Sequence, residues 1–189
     1  MEYKGLFNKV VLLISSPAKA WTEIYEETDT RNVMENFVYP LIGLCGLSVF
    51  IGCFIGNTAG ANEAFQVAMK RCCGTCISLF GGFFLASYLS DLLGKRMLGR
   101  ESEMEQNRCL IGYSMVVTFV LQIISGLFSI SILHWILQFY TVFVVYEGAN
   151  ILMKVEEKRL THYTLLVSLF VLICPAIIST IFDKLSLIV

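Results

Sequence analysis

Charge is scarce in this chain of 189 residues: Asp, Glu, Lys and Arg make up 15% of it, against about 25% in an ordinary soluble domain. The net charge is −1, so the composition offers nucleic acid no bulk attraction. The only histidines are His134 and His162, in different segments and on opposite expected sides of a membrane, so no Cys/His set with zinc spacing can be assembled. Neither a metal nor a cofactor is expected. The sequence has no phosphate-binding loop, no Gly-x-Ser-x-Gly elbow and no His-Glu-x-x-His pair. Without those motifs the chain is not expected to be an enzyme.

Apolar residues are abundant instead. They form 56% of the chain, and the mean hydropathy is +0.70. A core of this size cannot hold them all, so lipid must solvate part of the surface. About 20 apolar residues cross the roughly 30 Å of bilayer hydrocarbon, and five stretches qualify: about 37–55, 72–92, 109–127, 131–150 and 163–181. The block 109–152 would be about 66 Å long as one helix, so it must turn, with Gly126, Ser129 and Ser131 as the turn residues. Pro175 is expected to kink the last span. Six aromatics, Tyr39, Tyr88, Tyr113, Trp135, Tyr146 and Tyr163, lie near span ends, where amphipathic rings prefer to sit. The expected fold is all-α: a five-helix transmembrane bundle over 36–189, preceded by cytoplasmic amphipathic helices over 1–35.

The N-terminus does not read as a signal peptide. Its uninterrupted apolar run, Val10 to Ile14, is five residues, below the roughly 7–15 a signal needs. Leu6, Phe7, Val10, Val11, Leu13 and Ile14 recur at helical spacing instead, which suits a helix lying in the membrane interface or packed on the end of the bundle. Ser16 and Pro17 are suited to start a second short helix, with Trp21, Ile24 and Tyr25 on one face.

Small residues fall in stripes. Gly74, Ser78, Gly82, Ala86 and Ser90 succeed one another at i+4 on the second span, and Ser48, Gly52 and Gly56 do so on the first. Such faces let helix backbones approach closely. The first two spans are therefore expected to pair, with dimerisation as the other use of the same faces. The cluster Cys72-Cys73-Gly74-Thr75-Cys76 contains a Cys-x-x-Cys, but packing explains small thiols on a helix better than redox work does.

Ionisable residues within spans usually mark function. Asp91 and Glu147 qualify, both near the cytoplasmic ends of their spans. Together with Tyr113 and Asn150 they define a candidate polar site open to the cytoplasm, sized for a cation, a lipid headgroup or a small solute. Gln122, Gln138, Thr118, Tyr140 and Thr141 suggest a polar contact between the third and fourth spans.

Four segments carry a resemblance: Leu6-Phe7 through Ser16-Pro17 and Trp21; Phe37-Val38-Tyr39-Pro40-Leu41; Gly112-Tyr113-Ser114; and Tyr146-Glu147-Gly148 with Leu152-Met153-Lys154-Val155. In this order they resemble the YIP family of Ypt/Rab-interacting integral membrane proteins, most closely its short bacterial members. The resemblance implies five spans with a cytoplasmic N-terminus, in a bacterial cytoplasmic (inner) membrane. The eukaryotic members' Asp-Leu-Tyr-Gly-Pro motif and long polar N-terminal region are absent, so their Rab GTPase partners are not carried over. The expected role is non-enzymatic: organising the membrane or recruiting a protein partner at the cytoplasmic face, with homo-oligomers as a further possibility. Transport of a small solute or ion is the alternative.

The basic residues give the orientation. Lys4, Lys9, Lys19, Arg31, Lys95, Arg96, Arg100, Arg108, Lys154, Lys158 and Arg159 fall on the side of the N-terminus, and only Lys70, Arg71 and Lys184 on the other. The richer side is cytoplasmic by the positive-inside rule. Reporter fusions should therefore find the N-terminus in the cytosol and the C-terminus outside; both ends on one side would remove the odd number of crossings.

Overall fold

The computed structural model describes residues 3–26, 32–55, 61–99, 101, 103–128 and 138–188. Among these residues the regular structure is helical: α1 Tyr3–Ser15, α2 Pro17–Glu26, α3 Met34–Gly52, α4 Ala61–Leu98, α5 Met104–Phe128, α6 Tyr140–Ile151 and α7 Glu157–Ile188. Four of them, α3, α4, α5 and α7, are long and apolar enough to cross a membrane. The expected span 131–150 is described only in part, as α6. Its first residues, the turn residues Ser129 and Ser131, and Trp135 and Gly56 lie outside the described residues.

Local chemistry accounts for several helix limits. Pro17 opens α2 as its first residue, where its missing N–H is not needed; Ala20 N–H then donates to Ser16 O at 3.0 Å. The first turn of α3, Met34–Val38, is wider than α, and Tyr39 N–H reaches back to Met34 O. Pro40 follows at once. A proline in a regular helix clashes with the carbonyl four residues earlier, and the widened turn moves that carbonyl away. Gly99, at φ 63°, closes α4 in the left-handed conformation that glycine adopts without penalty.

α4 and α7 outrun the expected spans. At 1.5 Å per residue they measure about 57 Å and 48 Å, against about 30 Å of hydrocarbon. α4 starts at Ala61 and runs through Lys70 and Arg71. α7 continues through Pro175.

α4 is the central helix, packed on α7, α3 and α5, while α6 packs on α7 and α2. Paired residues give the directions: Ser90 meets Tyr163 and Gly82 meets Pro175, so α4 and α7 are antiparallel, whereas Gly112 meets Val38 and Gly126 meets Val49, so α3 and α5 are parallel. The small-residue stripe of α4 faces α7, not the first span as expected. A Cβ at Gly82 would lie 2.7 Å from Pro175 Cα, and one at Gly74 would lie 2.8 Å from the Phe182 ring. Between them Ser78 returns its hydroxyl to Gly74 O at 2.8 Å, and Ala86 is fully buried. The glycine face is a slot for a proline ring and a phenylalanine, both bulky and both on α7. The stripe on α3 faces α5 instead: Gly52 sits on the backbone of Gly126, and a Cβ at Gly126 would lie 2.8 Å from Ser48 Oγ. α3 and α4 do touch, through Gly46 over the thiols of Cys72 and Cys76 and through the stacked rings of Tyr39 and Phe80. Among the described residues, both small-residue faces are thus used inside the chain.

Overpacking at such a contact costs about 1–3 kcal/mol. Gly82→Leu should lower the unfolding free energy in detergent by at least that range. Gly94→Ala, whose Cβ would meet nothing within 4 Å, should be neutral or stabilising by about 0.4–1 kcal/mol. Equal thermal stability of the two variants would refute the α4–α7 slot.

Candidate functional site

Trp21 links the N-terminal helices to the bundle. It is completely buried, and its Nε1–H donates to Val144 O on α6 at 2.9 Å. The indole fits because residue 148 is glycine: a Cβ there would lie 2.6 Å from Trp21 Cζ2. Trp21 meets Tyr113 edge-on, with centroids 5.9 Å apart, and Tyr113 in turn lies 4.6 Å from Phe37. Aromatic pairs in such tilted geometries each contribute about 0.5–1.5 kcal/mol beyond the area they bury. Gly112 sits beneath Val38 and Val33, and Lys9 Nζ stands 5.7 Å from the Tyr113 centroid, at cation–π range. Further ties are Tyr140 OH to Ile14 O at 2.7 Å and Lys154 Nζ to Tyr25 OH at 2.7 Å. The four sequence segments that carry the resemblance therefore meet in one knot.

Beside the knot is a buried polar chain. Asp91, 3% exposed, accepts from Asn107 Nδ2 at 3.2 Å and from Lys95 Nζ at 2.9 Å. Asn107, 2% exposed, also donates to Glu103 O at 3.1 Å and accepts from Ser90 Oγ at 2.9 Å. Ser90 lies 3.3 Å from Tyr163 OH. The amide has one workable orientation, because its oxygen against the carboxylate would repel. Ser90 therefore donates to Asn107, which leaves Tyr163 as donor to Ser90, and the dipoles run Tyr163, Ser90, Asn107, Asp91. Chains of this kind polarise one another in a low dielectric. The half-exposed Lys95 supplies the countercharge that makes a buried carboxylate tolerable. Together these bonds join α4, α5 and α7, and Arg159 closes the same end with a guanidinium bond to Met97 O.

The four residues of the expected polar site are distributed differently. Asp91 is in the chain just described, and Tyr113 is in the aromatic knot. Glu147 is half-buried on α6 beside Gly148, and Asn150 is exposed. Tyr113 and Tyr163 are interior residues rather than interfacial anchors, whereas Tyr39, Tyr88 and Tyr146 are exposed. Thr118 and Thr141 are buried without a hydrogen-bond partner, so they do not make the polar contact expected between the third and fourth spans. Asn107 was missed, yet a signal existed. Asp91 closes one apolar run and Asn107 precedes the next, so an antiparallel hairpin sets them face to face. Tyr163, 73 residues from Ser90, had no such signal.

Asn107→Leu leaves Asp91 and Ser90 short of a partner and should cost about 1–3 kcal/mol. Tyr163→Phe, at the end of the chain, should cost about 0.5–1.5 kcal/mol. Denaturant unfolding of both variants checks the order; a smaller loss for Asn107→Leu would mean the chain carries no load.

A family model described as the Yip1 domain matches residues 11–179, from within α1 to within α7. No curated protein and no solved structure matches the chain. The match covers most of the sequence, including Trp21, Phe37, Tyr113 and Gly148 of the knot: this chain belongs to the Yip1 domain family of membrane proteins.

Proposed function

We propose that this chain is a non-enzymatic, five-span protein of a bacterial cytoplasmic membrane, with a cytoplasmic N-terminus, that organises the leaflet around its first helix. One observation carries the reading. α1 lies against the side of the bundle, packed on α2 and on the second half of α5, and its Leu6 shares a mostly apolar groove of about 570 Å³ with Glu35, Tyr39, Pro40, Gly43, Leu44 and Leu47 of α3. Leu13 anchors α1 in the core, while Phe7, Val11 and Ile14 point outward, Phe7 being 67% exposed. Leu44, Leu47 and Ile51 of α3 are exposed and apolar as well, so lipid can wet the outward faces of both helices. A helix held at this depth adds cross-section to one leaflet only, which favours membranes curved toward that side. The polar outer side of α2, with Lys19, Glu23 and Glu26 exposed, remains available to a protein partner.

Five crossings are supported by the course of the chain. α5 ends at Phe128, at the end of the bundle where Gly52 meets Gly126; α7 begins at the opposite end, where Arg159 meets Met97. The intervening residues have to return, and α6 is described on that path.

The test uses tethers pulled from giant vesicles that hold the full chain with α1 on the outer leaflet. The native protein should concentrate in the tether. Replacing Phe7, Val11 and Ile14 together by Ser should abolish that enrichment and leave thermal stability intact, because these side chains touch lipid rather than core. Equal enrichment of the native and triply substituted proteins would end the proposal.

A further inference from the structure

The bundle has a second polar feature, far from Trp21 and Asp91. Between α3, α4, α5 and α7 lies a cavity of about 520 Å³ lined by Lys70, Arg71, Thr75, Gln122, Ser179 and Asp183. A smaller cavity of about 200 Å³ adjoins it, sharing Val49, Arg71 and Gln122 and adding Ser125. Three of the lining side chains are charged, and their charges are not spent on one another. Lys70 donates to Ser186 O at 3.0 Å, the backbone of the last turns of α7. Arg71 and Asp183 line the same space, yet among the described residues neither forms an ion pair. Within one cavity a guanidinium and a carboxylate are thus held apart, each with unused hydrogen-bonding capacity.

The position of the cavity in the sequence narrows the ligand. Lys70 and Arg71 immediately precede the apolar stretch of α4 that begins at Cys72, and Asp183 follows Phe182, where the apolar stretch of α7 ends. Both boundaries lie at the level where hydrocarbon gives way to headgroups. On the hydrocarbon side of these boundaries the outer faces of the same helices are apolar, with Ile77, Phe80, Ile173, Ile177 and Ile181 exposed. A ligand here could bury charge in the cavity while acyl chains run down the outside.

We propose that this cavity is a headgroup site for an ammonium-bearing phosphodiester, with the phosphate toward Arg71 and Lys70 and the ammonium toward Asp183. Guanidinium matches phosphate in a paired geometry, and the Gln122 amide with the Thr75 and Ser179 hydroxyls can serve the remaining oxygens. Phosphatidylethanolamine carries this chemistry in a bilayer; glycerophosphoethanolamine carries it in solution. The site stands apart from the reading of α1 and is unaffected if that reading fails.

The experiment is native mass spectrometry of the full chain released from nanodiscs containing equal amounts of phosphatidylethanolamine, phosphatidylglycerol and phosphatidylcholine. Phosphatidylethanolamine should be retained above the other two, which lack either the ammonium or its N–H donors. Arg71→Gln should reduce its retention about tenfold, the value of one charge-assisted bond. Asp183→Asn should bring phosphatidylethanolamine down to the level of phosphatidylglycerol. Lys184→Gln, just outside the cavity, should change nothing. If Arg71→Gln does not fold, Asp183→Asn alone decides, because Asp183 is exposed near the end of α7. Displacement of the lipid by glycerophosphoethanolamine assigns the site to the headgroup alone; resistance to it assigns the site to the intact lipid. Equal retention of the three lipids by the native chain, or native-like selectivity in Asp183→Asn, overturns the proposal.

Discussion

Lipid gives helices no solvent-driven reason to associate, because hydrocarbon is as apolar as the side chains it would replace. Shape has to hold the bundle together. Close approaches fall at glycines: Gly52 on Gly126, Gly82 on Pro175, Gly148 on Trp21 and Gly46 on two thiols. Each sets the distance between two particular helices, and because Gly148 also meets Leu110 of α5 they link α2 through α7 into one body. The polar chain around Asp91 is then possible because α4, α5 and α7 are already close enough for four side chains to bond end to end. The order of dependence runs from backbone proximity to polar satisfaction. A carboxylate could not stay 3% exposed beside lipid on the strength of one lysine.

The sequence revealed elements more readily than partners. Hydropathy located α3, α4, α5 and α7, and Pro17 announced the start of α2. Spacing also identified which face of α4 is flat. It did not say that a proline ring and Phe182 fill that face, because a stripe of small residues is equally suited to any bulky neighbour. Helix length was misjudged for a related reason. A count of apolar residues stops at Lys70 and Arg71, whereas a helix continues as long as its backbone bonds are made. In the candidate site, Asp91 was visible as an ionisable residue near a span, but its partners were not. Asn107 was hidden in a charged segment, and Tyr163 looked like an interfacial ring. Tyr113 was noticed for its position, but its role as the meeting point of Trp21 and Phe37 needed contacts between residues far apart in the chain.

The two ends of the bundle differ in how they use polarity. Around Asp91 the Tyr163, Ser90, Asn107 and Asp91 side chains bond to one another, and the chain serves cohesion. Around Arg71 and Asp183 the charges face an open space and leave capacity unused. The same composition rule, few charges and most of them near span ends, thus yields a clasp in one place and a receptacle in the other. The α1 helix adds a third arrangement, buried along one edge and bare along the opposite one.

The bond from Trp21 to Val144 spans 123 positions. A chain delivered from its N-terminus presents the indole long before α6 exists to receive it. During that interval α2 has no permanent seat, and the first three apolar helices must enter the bilayer around a vacancy. The arrival of Gly148 fills it, so closure of the bundle is a late event in biogenesis, and a ribosome stalled before α6 would leave an unsealed assembly exposed to quality-control proteases.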